Sequence, residues 1–457
     1  MIDFKNINKV KWNNTKIAIL GAGKSGYSAS KLALSLGAKV LISNNKRTDI
    51  IKTKNLEIEN GGHTKKILDS DLIIKSPGIP DEIQIINESK KLNIPLVSEI
   101  EFSSWFTNSP ILAITGSNGK TTTTSLLHQI VKSAGYNAMI GGNIGIPFAK
   151  NVLIEKQFKL QNVVHVLELS SFQLENIKLF KPLISLILNI SPDHMDRYIS
   201  QKDYLKAKLN IAKNLVPPAW LVYNADDSVL KTSLRDRHRT QFFSLSSNQQ
   251  VKYQVENNKL FFNKNNKKII LFRLDELSLL GNHNLENIIA AATAANLFGI
   301  KNDIIKKKII DFQQLEHRME IVKSPFPLEF INDSKATNIA STIAAIKSFK
   351  NITLILGGQD KGNTDFAEIS KFLKNRVNQI ISYGKSGQKI CKQLEEFVPT
   401  TFIRDFSDAI NKSIEISKQH STILLSPGCS SFDQFSSYEK RGDCFKKIVE
   451  SLRSIND

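Results

Sequence analysis

Apolar residues come in short runs of Ile, Val, Leu and Ala, separated by longer stretches with helical spacing. A strand buried on both faces of a parallel sheet reads as such a run, since neither face meets water. The pattern predicts strands over 16–20, 39–43 and 71–75, then over 111–114, 163–169 and 183–190. It predicts further strands over 328–332, 352–356, 379–383 and 422–425. Helices fall between them: from the 21–26 turn to 36, from the 115–121 loop to about 134, over 284–298 and over 434–452. Strand-helix alternation implies right-handed crossovers and mostly parallel sheets. The rhythm changes only between 241 and 273. There the stretches 251–255 and 259–262 alternate polar and apolar residues between Asn-rich turns, the signature of an inserted antiparallel hairpin or meander.

These groups of strands give an α/β protein with three domains in series, over 1–98, 99–314 and 315–457. A length of 457 residues agrees, at roughly 150 residues per domain. Hydrophobic residues are 41% and charged residues 23%, which excludes a disordered or fibrous chain. The run 288–298 is broken by Thr293 and Asn296 and is far short of the ~20 residues of a membrane span. The first fourteen positions are polar and mixed in charge, unlike a secretory signal. Three cysteines, Cys391, Cys429 and Cys444, build no disulfide framework and suit a reducing, cytoplasmic setting. The net charge of +19 raises the question of a polyanionic partner. The lysines are scattered in pairs and triplets with no interleaved aromatic stripe, so no nucleic-acid partner is expected.

The strongest local signal is Gly116-Ser-Asn-Gly-Lys-Thr121, between a strand and a helix. Backbone N–H groups of such a loop point at phosphate oxygens, Lys120 reaches the outer phosphates, and Thr121 is placed for Mg²⁺. The loop is a shortened variant, with Ile114 where the usual first glycine stands. Gly21-Ala-Gly-Lys-Ser-Gly26 is a second glycine turn between strand and helix. No acid follows the second strand, where Ser43-Asn44 stand, which argues against a nicotinamide dinucleotide and leaves another diphosphate open. Glu168 and the stretch from Asn189 to Tyr198, with His194, each follow a buried strand. A carboxylate there is placed to hold Mg²⁺, with a solvent-facing acid as the ordinary alternative. Asn284 and Asn287 share a helix face and suit either a purine edge or a helix cap, and the local pattern favours the cap. Three polar loops, 332–338, 357–362 and 426–431, end three strands of one sheet, which is ligand-site geometry.

In this order the motifs resemble those of the Mur ligases, over essentially the whole chain. The stretches 115–121 and around His194 are shared with folylpolyglutamate synthetases. Those over 141–145, 168–175, 332–338 and 431–435 are similar to the D-glutamate-adding branch. The resemblance implies a Rossmann-like N-terminal domain for a UDP-linked substrate. It also implies a central P-loop ATPase-type domain and a Rossmann-like C-terminal domain for the amino acid. It implies ATP-dependent ligation of D-glutamate to UDP-N-acetylmuramoyl-L-alanine through an acyl phosphate, with ATP and two Mg²⁺ ions, by a cytoplasmic monomer that does not enter the membrane. Gly116, Ser117, Asn118, Gly119, Lys120, Thr121 and Thr122 would hold the ATP phosphates. Asn284, Asn287, Arg318, His317 and Asp333 would complete the nucleotide site. Thr121, Glu168 and His194 would ligate Mg²⁺. Lys208 stands where the family carries a lysine carbamylated by CO₂; a surface lysine is the alternative, and Lys206 lies close by. Asn143 would contact the UDP-sugar, and Lys24, Ser25 and Ser76 the diphosphate, with Asn44 at a commonly acidic position. Lys335, Thr337, Lys361, Ser431 and Tyr438 would hold D-glutamate. Another Mur ligase or a folylpolyglutamate synthetase, a nicotinamide oxidoreductase and a basic nucleic-acid-binding ATPase are the competing readings.

Overall fold

The structure is a computed structural model. It describes every residue except 1, 3, 196, 235–238, 247–250, 265–266, 278–280, 361, 363 and 453–457. The chain forms two compact units. The first holds Met1–Ile190, Ser200–Glu276 and Glu286–Ile310. The second holds Ser191–Ile199, Leu277–Leu285 and Asp311–Asp457.

The first unit contains two parallel sheets. The N-terminal one has five strands, β1 (Lys16–Leu20), β2 (Lys39–Asn44), β3 (Leu56–Asn60), β4 (Leu72–Lys75) and β5 (Leu96–Ser98), in the order β3-β2-β1-β4-β5. The central one has six, β6 (Ile111–Thr115), β7 (Asn137–Gly142), β8 (Val163–Glu168), β9 (Ile184–Ile187), β10 (Trp220–Asn224) and β11 (Thr240–Phe243). Their order is β11-β10-β9-β6-β8-β7, with β6 in the middle and buried along its whole length. The predicted meander is present as β12 (Tyr253–Glu256), β13 (Lys259–Lys264) and β14 (Lys267–Arg273), paired antiparallel.

The second unit carries β15 (Glu320–Val322), β16 (Glu329–Asn332), β17 (Ile352–Gly357), β18 (Val377–Tyr383), β19 (Thr400–Ile403) and β20 (Thr422–Gly428). The order is β15-β16-β20-β17-β18-β19, parallel except for β15, which runs antiparallel to β16. Alternate residues of one strand enter opposite cores: Leu354 and Leu356 one, Ile355 the other. Both faces are covered, as the unbroken apolar runs require. Several strands escaped the sequence reading because they lie at sheet edges. In β3, Leu56 and Ile58 are buried between exposed or half-buried neighbours, so no continuous run marks it. The antiparallel β15 is only three residues long.

Within the first unit, the short helix Glu99–Ser104 joins the two sheets. Ser98 caps it, accepting from the Glu101 backbone N–H at 3.2 Å. The Glu101 carboxylate collects the backbone N–H groups of Lys178, Leu179 and Phe180 at 2.6–3.0 Å and the Trp105 indole at 2.8 Å. Glu99 accepts from the Ala149 N–H at 2.5 Å, at the start of the helix Phe148–Gln157. Its Oε2 is buried with no hydrogen-bond partner among the described residues. Burial pushes this carboxyl up to about 7, against the opposing pull of the Ala149 and Ser103 hydrogen bonds.

A folded-state value above the ordinary 4.5 means that the folded protein holds a proton the unfolded chain has released. The stability contribution is therefore complete below about 4.5 and is lost as pH rises toward about 7. Glu99→Gln keeps the acceptor for Ala149 and removes the titration. Its melting temperature should match the parent's near pH 4.5 and exceed it above pH 7, the gap opening between the two. Thermal unfolding followed across that range checks this; a gap independent of pH would contradict it.

Candidate active site

β6 ends at Thr115, and the chain must leave the sheet and enter the helix Lys120–Ser133 within four residues. Two glycines make the turn possible. Gly116 has φ +154°, and a Cβ there would lie 2.9 Å from Leu188 Cβ. Gly119 has φ +82°, and a Cβ there would lie 2.1 Å from Asn287 Oδ1. The Asn189 side chain braces the loop from the next strand, accepting from the Asn118 N–H at 2.8 Å and donating to the Asn118 carbonyl at 3.2 Å. The Thr115 hydroxyl donates to the Leu169 carbonyl at 2.8 Å.

The candidate side chains of the central sheet meet at this loop. Lys120 Nζ curls back to the Gly116 and Ser117 carbonyls, both at 2.8 Å. Thr121 Oγ1 donates to Glu168 Oε2 at 2.8 Å, and Asn143 Nδ2 donates to Glu168 Oε1 at 2.8 Å. Glu168 is buried, so the solvent-facing alternative is wrong. Lys208 is also buried and donates to the Gly116 carbonyl at 2.8 Å, whereas Lys206 is exposed. Only Lys208 reaches the loop. Four positions earlier on the same helix face, Tyr204 places its hydroxyl 3.2 Å from Ser117 Oγ and its ring 4.6 Å from Lys208 Nζ. The sequence reading missed Tyr204, although the i,i+4 spacing to Lys208 was its signal. Thr122 is buried in the first helical turn. Asn287 does not cap its helix, which starts at Asn282; its Oδ1 accepts from Thr123 Oγ1 at 3.3 Å. The expectation of a cap fails there because a distant side chain supplies the better donor.

In the N-terminal sheet, Gly21 has φ +95° and leads into the helix Lys24–Ser35. A Cβ on Gly26 would stand 1.9 Å from the Gly21 carbonyl, so that position tolerates no side chain. Ser76 Oγ donates to the Gly21 carbonyl at 3.4 Å. Asn44 Oδ1 accepts from the Ala22 N–H at 3.2 Å, so the amide braces the turn itself. Lys24 is exposed and Ser25 half-buried at the helix start.

The second unit gathers the other candidates. His317 and Met319 have positive φ, +61° and +46°, on either side of Arg318. Strain of this kind in non-glycine residues persists only where surroundings enforce it. The His317 ring lies 3.0 Å from Asn332 Nδ2, and its backbone N–H donates to Glu320 Oε2 at 2.9 Å. Among the described residues, the Arg318 Nε is buried with no hydrogen-bond partner. Burial pushes the Asp333 carboxyl up to about 7, although the Ser426 hydroxyl at 2.8 Å and the Arg318 charge pull it down. Asn284 is buried. His194 has φ +58°; its N–H donates to Asp193 Oδ1 at 3.0 Å, and Asn338 Nδ2 donates to Asp193 Oδ2 at 3.4 Å. Lys335 Nζ sits 5.0 Å above the Tyr438 ring, with Thr337 half-buried and Ser431 buried in neighbouring loops. Lys361 lies outside the described residues. Arg441, which the sequence reading overlooked, is fully buried and ties the loops together. It donates to the Ser334 carbonyl and hydroxyl, to the Cys429 carbonyl and to the Tyr383 hydroxyl at 2.7–3.2 Å.

The description "MurD N-terminal domain" matches residues 16–85, "Mur ligase middle domain" residues 114–295, and "Mur ligase, glutamate ligase domain" residues 317–429. A UDP-N-acetylmuramoylalanine--D-glutamate ligase of Christiangramia forsetii is 38% identical over 449 residues, covering 96% of this chain and 99% of its own. The chain belongs to the Mur ligase family. A protein of the same name from Bacteroides thetaiotaomicron is also 38% identical, over 96% of this chain and all of its own. The solved MurF ligase of Thermotoga maritima, in complex with ADP, shares the Mur ligase fold at 16% identity. Its TM-score is 0.60 over 97% of this chain and 96% of that one.

Among the described residues, no three His, Cys, Asp or Glu side chains gather as a metal cage. Mg²⁺ needs none, because it binds through one or two protein oxygens together with water and phosphate oxygens. The paired oxygens of Thr121 and Glu168, beside a loop built for phosphate, fit that donor set in this Mur ligase.

Gly119→Ala should weaken nucleotide binding by about tenfold or more, because both the positive φ and the Asn287 contact forbid a Cβ. Calorimetric titration with a non-hydrolysable ATP analogue reads this. Unchanged affinity would remove the loop from the nucleotide site.

Proposed function

We propose that this Mur ligase joins D-glutamate to UDP-N-acetylmuramoyl-L-alanine with ATP, in peptidoglycan precursor synthesis. The observation that carries this reading is the 38% identity, across 96% of the chain, to relatives bearing that ligase name. The Thr121–Glu168 pair at the phosphate loop supplies a chemical basis. The substrate carboxylate attacks the γ-phosphorus, ADP leaves, and an acyl phosphate forms. The amine of D-glutamate then attacks the acyl carbon, phosphate leaves, and the ammonium protons pass to solvent or phosphate.

Both steps build negative charge, so donors and cations held in place count for more than a covalent nucleophile. The N–H groups of Gly116 to Thr122 and the Lys120 ammonium take the ATP phosphates. Thr121 and Glu168 would hold one Mg²⁺ and His194 a second, and the ions would neutralise phosphate charge. Asn143 orients the Glu168 carboxylate through the contact at 2.8 Å. Asn284, Asn287, His317, Arg318 and Asp333 hold the rest of the nucleotide. The turn from Gly21 to Gly26, with Lys24, Ser25 and Ser76, takes the UDP diphosphate. Lys335, Thr337, Lys361, Ser431 and Tyr438 take D-glutamate, a dicarboxylate suited to ammonium and hydroxyl donors. We assign Lys208 as a carbamate, supported by its burial against the phosphate loop. Carbamylation turns this buried cation into an anion able to order the metal centre. We place the enzyme in the cytoplasm, in line with its three free cysteines.

Phosphate release by the purified protein should require ATP, UDP-N-acetylmuramoyl-L-alanine and D-glutamate together. Release with another amino acid in place of D-glutamate would redirect the assignment to a different Mur ligase. Lys120→Ala should abolish turnover, a loss of several kcal/mol of transition-state stabilisation. Near-normal turnover would sink the phosphate-loop role. Lys208→Ala should be folded, nearly inactive, and partly restored by acetate, which fills the vacated anionic site. Activity within a few-fold of the parent would rule out an essential carbamate.

A further inference from the structure

Lys75 is 1% exposed, which is unusual for a lysine and costly unless its charge is matched. Its ammonium pairs with two carboxylates, Asp81 and, at 3.1 Å, Glu175. Burial pushes the Asp81 carboxyl up, but the Lys75 charge and hydrogen bond and the Asn176 amide outweigh it and hold it below its ordinary value. The arrangement joins two places that the ligation uses. On one side, Lys75 ends β4 in register with Leu20, the residue before the Gly21 turn, and directly precedes Ser76, which donates to the Gly21 carbonyl. On the other side, Glu175 follows the helix Ser171–Leu174, which starts three residues after Glu168. A capping box of Ser170 and Gln173 fixes that helix. A second link runs parallel to the first, because Asn176 Nδ2 donates to the Asp81 carboxylate at 3.3 Å and 3.4 Å.

We propose that Lys75 is a positioning residue that sets the spacing between the glycine turn for the substrate diphosphate and the Glu168 end of the central sheet. This rests on the ligase reading. A substrate with a diphosphate at one end and a reacting carboxylate at the other is held in register only if both places keep their separation, and a displacement near 1 Å can cost about a hundredfold in rate. A buried charge pair suits the task. It is directional, and the low dielectric around it makes slippage costly.

The test compares two ligands by calorimetry. UDP touches only the glycine turn, whereas UDP-N-acetylmuramoyl-L-alanine spans both places. In Lys75→Met, affinity for the full substrate should fall about tenfold while UDP binds within about twofold of the parent, since lost positioning penalises only the ligand that bridges. Lys75→Arg, which keeps the charge, should recover most of the difference. Glu175→Gln leaves Lys75 and Asp81 paired, so it secures a folded protein, and it should shift the same ratio in the same direction. Equal weakening of both ligands, or an unchanged ratio in Glu175→Gln, would overturn the proposal. A parent protein that binds UDP and gains nothing from the muramoyl-alanine extension would instead overturn the ligase reading, and this inference with it.

Discussion

Inside a parallel sheet every backbone N–H and C=O is committed to a neighbouring strand, and both faces are covered by helices. Polar chemistry can then appear only where the strands end. This constraint places the candidate groups. Glu168 closes β8, Thr115 closes β6, Lys75 closes β4, and Asn332 closes β16. Register makes it local: Glu168 lies beside Ile114 on one side and Gly142 on the other, so its carboxylate emerges where the phosphate loop begins. A Cβ on Gly142 would stand 2.3 Å from the Glu168 carbonyl, so that edge is closed to bulk.

Burying ionised groups at those edges costs stability unless each finds partners. The molecule meets this requirement in three ways. Glu101 takes three consecutive backbone N–H groups and an indole. Lys75 takes two carboxylates. Arg441 takes carbonyls and hydroxyls at the ends of three strands, so the geometry there depends on one guanidinium. Its planar, rigid fork is what lets a single side chain span them. Arg318 and Glu99 depart from the rule, each keeping a buried atom without a partner. At Arg318 the atom is a guanidinium donor; at Glu99 it belongs to a carboxyl that holds its proton up to about 7.

The glycine turn at Gly21 shows how far a motif alone can be read. The pattern leaves a diphosphate open, and the missing acid after β2 argues against a nicotinamide cofactor. The structure adds that Asn44 faces the turn and accepts from Ala22, a role that an amide fills without charge. Asn287 carries the opposite lesson. Its i,i+3 pairing with Asn284 favours a helix cap, yet it reaches Thr123 and the Gly119 turn instead.

By itself the sequence determined the α/β class, the serial order of the sheets, the inserted meander and the phosphate loop. Each is written in local spacing, because a strand buried on both faces needs an apolar run and a tight turn beside phosphate needs glycine. Edge strands such as β3 and β15 were illegible, since half-exposed strands carry mixed residues. Only the tertiary structure decided which of Lys206 and Lys208 is buried against Gly116. It alone brought Tyr204 to Ser117, Arg441 to Ser334 and Lys75 to Glu175. Those contacts join residues 87 to 107 positions apart. Pairing at that distance depends on strand order and register, which no local pattern encodes.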